Sequence, residues 1–202
     1  MTGLLKVVLA TGNPGKLAEM KQILGGLPLE FLALRDFPEL GHASEDGLTF
    51  EENAAKKAIY VWEHTRLLSI ADDSGLEVDA LDGQPGIFSA RFAGEHASYE
   101  ANNRKLLALL RGVPPERRKA RFVCVAALIK PEGEMLLRRG SLEGVIAEAP
   151  TGSCGFGYDP IFYVPAYGKT VAQLDEAVKN TISHRARALS GIKQVIEELL
   201  PK

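Results

Sequence analysis

The chain has 202 residues, with 24 Lys+Arg against 26 Asp+Glu and a formal net charge of −2. That length fits one domain spanning 1–202, large enough to bury a core without disulfides or a structural metal. A 46% hydrophobic and 25% charged composition excludes a disordered chain, and the charge balance gives no global field for duplex DNA or an anionic membrane.

No apolar run approaches the roughly 20 residues that span a bilayer. The run Leu4-Leu5-Lys6-Val7-Val8-Leu9-Ala10 is broken by a lysine and reads as a first strand rather than a signal peptide, so the cytoplasm is the expected compartment. The pattern predicts a buried strand over 6–10, ended by Thr11-Gly12-Asn13-Pro14-Gly15. A helix follows with Leu17, Met20 and Leu24 on one face, stopped by Gly25-Gly26. A short strand is expected at 31–34. Thr49 and Glu52 have capping-box spacing and open a helix with Ala54, Ala58, Val61 and Trp62 inward. A strand at 67–71 runs into Asp72-Asp73-Ser74-Gly75, and the Gly- and Pro-rich stretch 83–94 reads as loop. A helix is expected over 99–111, with Leu106, Leu107 and Leu110 inward. A long strand at 120–130 turns through Pro131-Glu132-Gly133-Glu134 into a partner at 135–139, and a further strand is expected at 145–149. A strand at 161–164 follows a glycine-rich loop. Ser183 is placed to cap the last helix, whose face is Leu189, Ile192, Ile196 and Leu199. Early alternation of strands and helices with a hairpin in the middle predicts an α/β fold around a mixed sheet.

Cys124 lies in an apolar run and reads as a small buried hydrophobe; Cys154 lies in a loop. The four histidines, 42, 64, 96 and 184, show no zinc-ligand spacing. Four other constellations carry polar chemistry. Thr11-Gly12-Asn13-Pro14-Gly15-Lys16, between strand and helix, suits an anion at a helix N-terminus, and equally a tight turn with a solvated lysine. It is not a Walker A loop, because only two residues separate Gly12 and Gly15 and Leu17 follows Lys16. Glu45-Asp46 and Asp72-Asp73 offer hard oxygen ligands of the kind Mg²⁺ or Mn²⁺ takes. The alternative is an aspartate capping a turn at Gly75, but adjacent carboxylates at a strand end repel without a cation. Gly155-Phe156-Gly157-Tyr158-Asp159-Pro160 would let a flat ligand stack on Phe156, or place an aromatic in a core gap. Lys179 with Ser183-His184-Arg185 offers donors at the last helix's start, where positive charge opposes the helix dipole unless a ligand compensates.

These residues together form the inventory for a Mg²⁺-nucleotide. Thr11-Gly12-Asn13-x-x-Lys16, Ala71-Asp72-Asp73-Ser74-Gly75-Leu76, Pro85-Gly86-Ile87-Phe88-Ser89-Ala90-Arg91, Gly155 to Pro160 and Ile182-Ser183-His184-Arg185 resemble the inosine/xanthosine triphosphate pyrophosphatase family, in the family's order, from about Val7 to Leu189. The resemblance implies two α/β lobes flanking a substrate cleft, with a central mixed sheet and usually a homodimer. It implies Mg²⁺-dependent hydrolysis of ITP, dITP and XTP to monophosphate and pyrophosphate, with Mn²⁺ as a substitute metal. Thr11, Gly12, Asn13, Pro14, Gly15 and Lys16 would hold the triphosphate and Lys57 would reach the phosphates. Glu45 and Asp73 would bind the metal, and Asp73 would activate water. Ser74 would touch substrate, and Phe156, Gly157, Tyr158, Asp159, Lys179, His184 and Arg185 would form the base and phosphate pocket. The chain departs from the family at Ala177-Val178, where a glutamate pair is common.

The resemblance implies water attack at the α-phosphorus, with discrimination at the base edge. Hypoxanthine and xanthine present a 6-oxo acceptor where adenine presents an amino donor, so donors such as His184 and Arg185 would refuse adenine. Competing readings are a related septum-inhibitor-type nucleotide pyrophosphatase, a non-catalytic nucleotide- or RNA-binding module, and a purely structural protein. The Ser183-His184-Arg185 block opposes the first, the acidic and lysine residues oppose the second, and the clustering of polar-glycine blocks opposes the third.

Overall fold

The computed structural model describes residues 4–41 and 43–200; His42 lies outside the described residues. The first strand, β1 (Leu5–Leu9), is followed by helix α1 (Pro14–Ile23) and strand β2 (Leu29–Ala33). β1 pairs in parallel with β2 and with β3 (Leu68–Val78). Val7, Val8 and Leu9 are all fully buried, which is why the run is continuously apolar rather than alternating. Helix α2 (Phe50–Thr65) precedes β3. Thr49 caps it as expected, accepting from the Glu52 N–H at 3.1 Å. The return arm differs from a capping box, because the Glu52 carboxylate takes the N–H of Leu48 at 2.7 Å. Ala54, Ala58 and Val61 face the core, whereas Trp62 is half-buried and donates to the Pro131 carbonyl at 3.1 Å.

Strand β3 corrects the expectation that Asp72-Asp73 ends a strand. It runs on through Ser74 and Gly75 to Val78, and β4 (Pro85–Gly86) pairs antiparallel with its far end. Leu76 and Val78 are fully buried, and their apolar alternation carries the strand through a sequence that reads locally as a turn. Helix α3 (Tyr99–Leu109), capped by Ser98, buries Leu106 with Leu110 just beyond it. Strand β5 (Lys119–Ile129) leads through the expected turn to β6 (Met135–Ile146), one strand of 12 residues where two shorter ones were expected. β7 (Phe162–Val164) pairs antiparallel with β6 and with β8 (Lys169–Thr170). Among the described residues the sheet has eight strands, in the order β2-β1-β3-β5-β6-β7-β8, with β4 on β3. It is the central mixed sheet of an α/β fold.

Two helices close the chain. α4 (Glu176–Ile182) was not expected and carries Lys179; α5 (His184–Leu199) starts directly after the extended Ser183. Leu189, Ile192 and Ile196 are buried as their spacing predicts, while Leu199 at the helix end is exposed.

The chain divides into two compact units. One holds the residues up to Asp73, Cys124–Gly140, and those from Arg185 on; the other holds Ser74–Val123 and Ser141–His184. The core of the first includes Val7, Leu9, Met20, Ile70, Leu128 and Leu189. That of the second includes Leu76, Leu106, Phe122, Ile146, Ile161 and Phe162.

Candidate active site

In the first unit, alternation along β3 gives Asp72 and Asp73 different partners. Asp72 is 1% exposed and meets Arg185 at the start of α5, whose Nη2 and Nε donate to its Oδ2 at 3.0 and 3.2 Å. Lys16 of α1 lies 3.2 Å from the same oxygen, and the Cys124 thiol donates to it at 3.7 Å. Arg185 also bonds Glu19 of α1 through Nη1. Cys124 is thus buried as expected, with a weak polar contact added.

Asp73 turns to α2. Lys57 Nζ donates to its Oδ1 at 2.9 Å and Asn53 Nδ2 to its Oδ2 at 3.4 Å. The same ammonium reaches Glu45 Oε1 at 3.2 Å. The two adjacent aspartates therefore do not share one cation at a strand end; each has its own lysine. Asp46 pairs instead with Lys56 at 2.7 Å and is well exposed, so Glu45 rather than Asp46 joins Asp73. Burial pushes the Asp73 carboxyl above its ordinary range, against the pull of Lys57 and Lys16. Burial alone would lower Lys57, but Asp73, Asp72 and Glu45 outweigh it and hold the ammonium above its ordinary value. At Arg185, likewise, Asp72 and Glu19 more than offset burial, and the guanidinium stays charged.

The loop before α1 is tied to itself. Asn13 Oδ1 accepts the N–H groups of Gly15 and Lys16 at 2.9 and 3.2 Å, and Thr11 Oγ1 accepts that of Asn13 at 3.2 Å. Pro14 has no N–H to offer. The expected cradle of backbone N–H groups is thus largely an internally satisfied helix cap, and the loop's cationic group is the Lys16 ammonium, paired with Asp72. A side chain at Gly12 would meet nothing within 4 Å, so the loop leaves space there.

Glu45 and Asp73 fit a divalent cation by their chemistry. Both are hard oxygen donors, and both already converge on one cationic group, the Lys57 ammonium. No group of three or more His, Cys, Asp or Glu side chains placed to hold a metal ion occurs among the described residues. A two-carboxylate set suits Mg²⁺, which keeps several waters and takes further oxygens from phosphates.

The second unit holds the aromatic loop. Phe156 is half-buried, and Lys179 Nζ lies 4.8 Å from its ring centroid. Lys179 is anchored by Asp159 Oδ2 at 2.6 Å, and the same oxygen accepts the Phe156 N–H at 2.9 Å. Gly155, at φ +77°, leaves room for that carboxylate: a Cβ would sit 2.1 Å from it. Tyr158 is buried, and its hydroxyl donates to the Ser89 carbonyl at 2.9 Å, so it serves as an anchor of the loop. His184 is buried and stacks on Phe122 with ring centroids 4.8 Å apart. Ser74, half-buried on β3, directly follows Asp73. Beside Phe156 lies a cavity of about 440 Å³, whose wall includes Tyr99, Asn103 and Cys154.

The structure therefore brings Glu45, Lys57 and Asp73 into one network, Lys16 and Arg185 into a second around the adjacent Asp72, and Phe156, Asp159 and Lys179 into a third. Sequence reasoning missed Glu19, Asn53 and Asn103. Each is a polar helical residue that is buried, and its only signal is a place on the inward face of an otherwise recognised helix.

The Ham1 family model matches residues 7–195. A protein of Geobacter sulfurreducens named dITP/XTP pyrophosphatase is 53% identical, covering 93% of this chain and 94% of its own. One of Desulforamulus reducens with the same name is 50% identical over 96% and 97%. The solved structure of a HAM1 protein from Coxiella burnetii superposes with a TM-score of 0.87 at 43% identity, covering 96% of this chain and 99% of that one.

Proposed function

The chain belongs to the Ham1 family, and from that premise we propose that it hydrolyses non-standard purine nucleoside triphosphates, ITP, dITP and XTP, to the monophosphate and pyrophosphate. The reaction would remove such nucleotides before they are built into DNA or RNA. The observation that carries the reading is the convergence of Glu45 and Asp73 on Lys57, next to Asp72, which holds Lys16. Carboxylates and lysines held together at a buried strand are what a metal-bound triphosphate requires. The names of the relatives support the substrate class.

In this reading Glu45 and Asp73 hold Mg²⁺, or Mn²⁺ in its place. The metal, when bound, supplies charge neutralisation at phosphate oxygens and a more acidic water. Lys16 and Lys57 bind the phosphates and offset charge growing on the departing pyrophosphate. Asp73 orients the attacking water and accepts its proton. Ser74 and the Thr11–Lys16 loop contact the substrate chain. The base stacks on Phe156, where Lys179 presents a donor to a 6-oxo group. Adenine would bring its 6-amino donor against that ammonium. The protein acts in the cytoplasm as a homodimer, and needs neither nucleic acid nor membrane. No helix among the described residues is long and apolar enough to cross a membrane.

One assay tests the reading. The protein is incubated with ITP, dITP, XTP, dGTP, ATP and TTP, with and without Mg²⁺, and products are resolved. Monophosphate plus pyrophosphate from the first three, only with Mg²⁺, is the expected result. Orthophosphate release, or no turnover, overturns it.

A further inference from the structure

Asn103 is buried at 6% exposure on the inward side of α3, yet it belongs to none of the networks described above. Its Nδ2 donates to the Gly157 carbonyl at 3.1 Å. Gly157 follows Phe156 and sits at φ +64°, so the contact grips the loop at its left-handed turn. One helical turn earlier, Tyr99 sets its ring 6.2 Å from the Phe156 ring, tilted by 39°. Residues four apart share a helix face. α3 thus presents one side chain to the Phe156 ring and another to the backbone just after it. Asp159 secures the other side by accepting the Phe156 N–H. Asn103, Tyr99 and Phe156 also line the same cavity.

We infer that Asn103 is a positioning residue for base recognition: it fixes the Gly157 peptide, and through it the plane of the Phe156 ring. The inference rests on the proposed nucleotide reading, in which that ring stacks the base. The Asn103 amide is an expensive choice for packing alone. Its Oδ1 is buried and has no hydrogen-bond partner among the described residues, which an apolar side chain would avoid. Its donor arm, spent on a loop carbonyl, accounts for an amide at this position.

The test separates base binding from everything else. Asn103→Asp keeps the shape and removes the donor when ionised; Asn103→Ala removes the whole amide. Both are compared with the parent on dITP with Mg²⁺, alongside inhibition by inorganic tripolyphosphate, which has the phosphates and no base. KM for dITP should rise by about tenfold, within the range that base–aromatic stacking supplies. The kcat and the tripolyphosphate inhibition constant should stay within about twofold. Unchanged KM in both variants overturns the inference. So does a parallel loss of kcat and tripolyphosphate binding, or loss of folding in both variants, since each marks a merely structural role. Failure of the parent to hydrolyse dITP would instead count against the proposed function.

Discussion

Replacing Asp73 by Asn keeps the side chain's shape and its place between Asn53 and Lys57, but removes the base and a metal ligand. The expected loss in kcat is about 100- to 10,000-fold, the range that a positioned general base contributes. KM for dITP should change by only a few-fold, because Lys16 and Lys57 remain. Stability should change less. Burial raises the Asp73 pKa, so ionising it costs the folded state stability as pH rises from 3.8 through the raised value. The variant escapes that cost but takes a charged partner from the buried Lys57, so the two effects oppose and at neutral pH its melting temperature should stay within a few degrees of the parent's. Steady-state kinetics and a thermal melt check both halves. Arg185 presents the opposite balance. It is 1% exposed and bonded to both Asp72 and Glu19. Arg185→Ala would take a buried cationic partner from two buried carboxylates, at a cost of about 3–5 kcal/mol. In a chain of this size that is a fall in melting temperature on the order of 10 °C. A melt within a degree or two of the parent would show that these contacts do not hold the fold.

At the scale of elements, α1 owes the position of Lys16 to one side chain. Asn13 caps the helix by accepting from both Gly15 and Lys16. Asn13→Ala should cost about 1 kcal/mol, a drop of about 2–4 °C in melting temperature. It should also raise KM for dITP, because the lysine leaves the first turn of that helix. A melt and a KM measurement on one preparation decide whether cap and substrate site are linked. The same elements show what local sequence conveys. α1, α2 and α3 are legible because cap residues and apolar spacing agree with the tertiary environment. β3 is legible only to Ala71, because Asp-Asp-Ser-Gly has turn propensity and the pairing that overrides it lies elsewhere in the chain. β6 reads as two pieces because its Arg138-Arg139-Gly140 segment lacks the apolar signal on which strand recognition relies. α4 has seven residues, too few to display a period. The candidate site divides likewise. Lys57 and Asp73 are legible through their motifs, whereas Asn103 grips a carbonyl that is 54 positions away, and no local pattern encodes that.

Over the whole molecule, a net charge of −2 conceals a concentrated set of opposed charges. Lys16, Lys57 and Arg185 are interlocked with Glu19, Glu45, Asp72 and Asp73. The three cations offset all but one of the four acidic charges, so the fold depends little on a metal for charge balance. Mg²⁺ alone should therefore change the melting temperature little, and chelation should stop turnover without unfolding the protein. A metal-bound nucleotide differs, because its phosphates offer Lys16 and Lys57 new partners while the metal takes over the carboxylates. An analogue of dITP with nitrogen bridging the α- and β-phosphorus resists the proposed cleavage and permits the comparison. At about 100 times its dissociation constant it should stabilise the fold by about 2.7 kcal/mol, or about 5–10 °C. Thermal melts with Mg²⁺, with the analogue and with both would test this. A large shift from Mg²⁺ alone would mean that the carboxylates are held apart from their lysines in solution. A shift from the analogue that is the same with and without Mg²⁺ would mean that the lysines bind phosphate without the metal taking part.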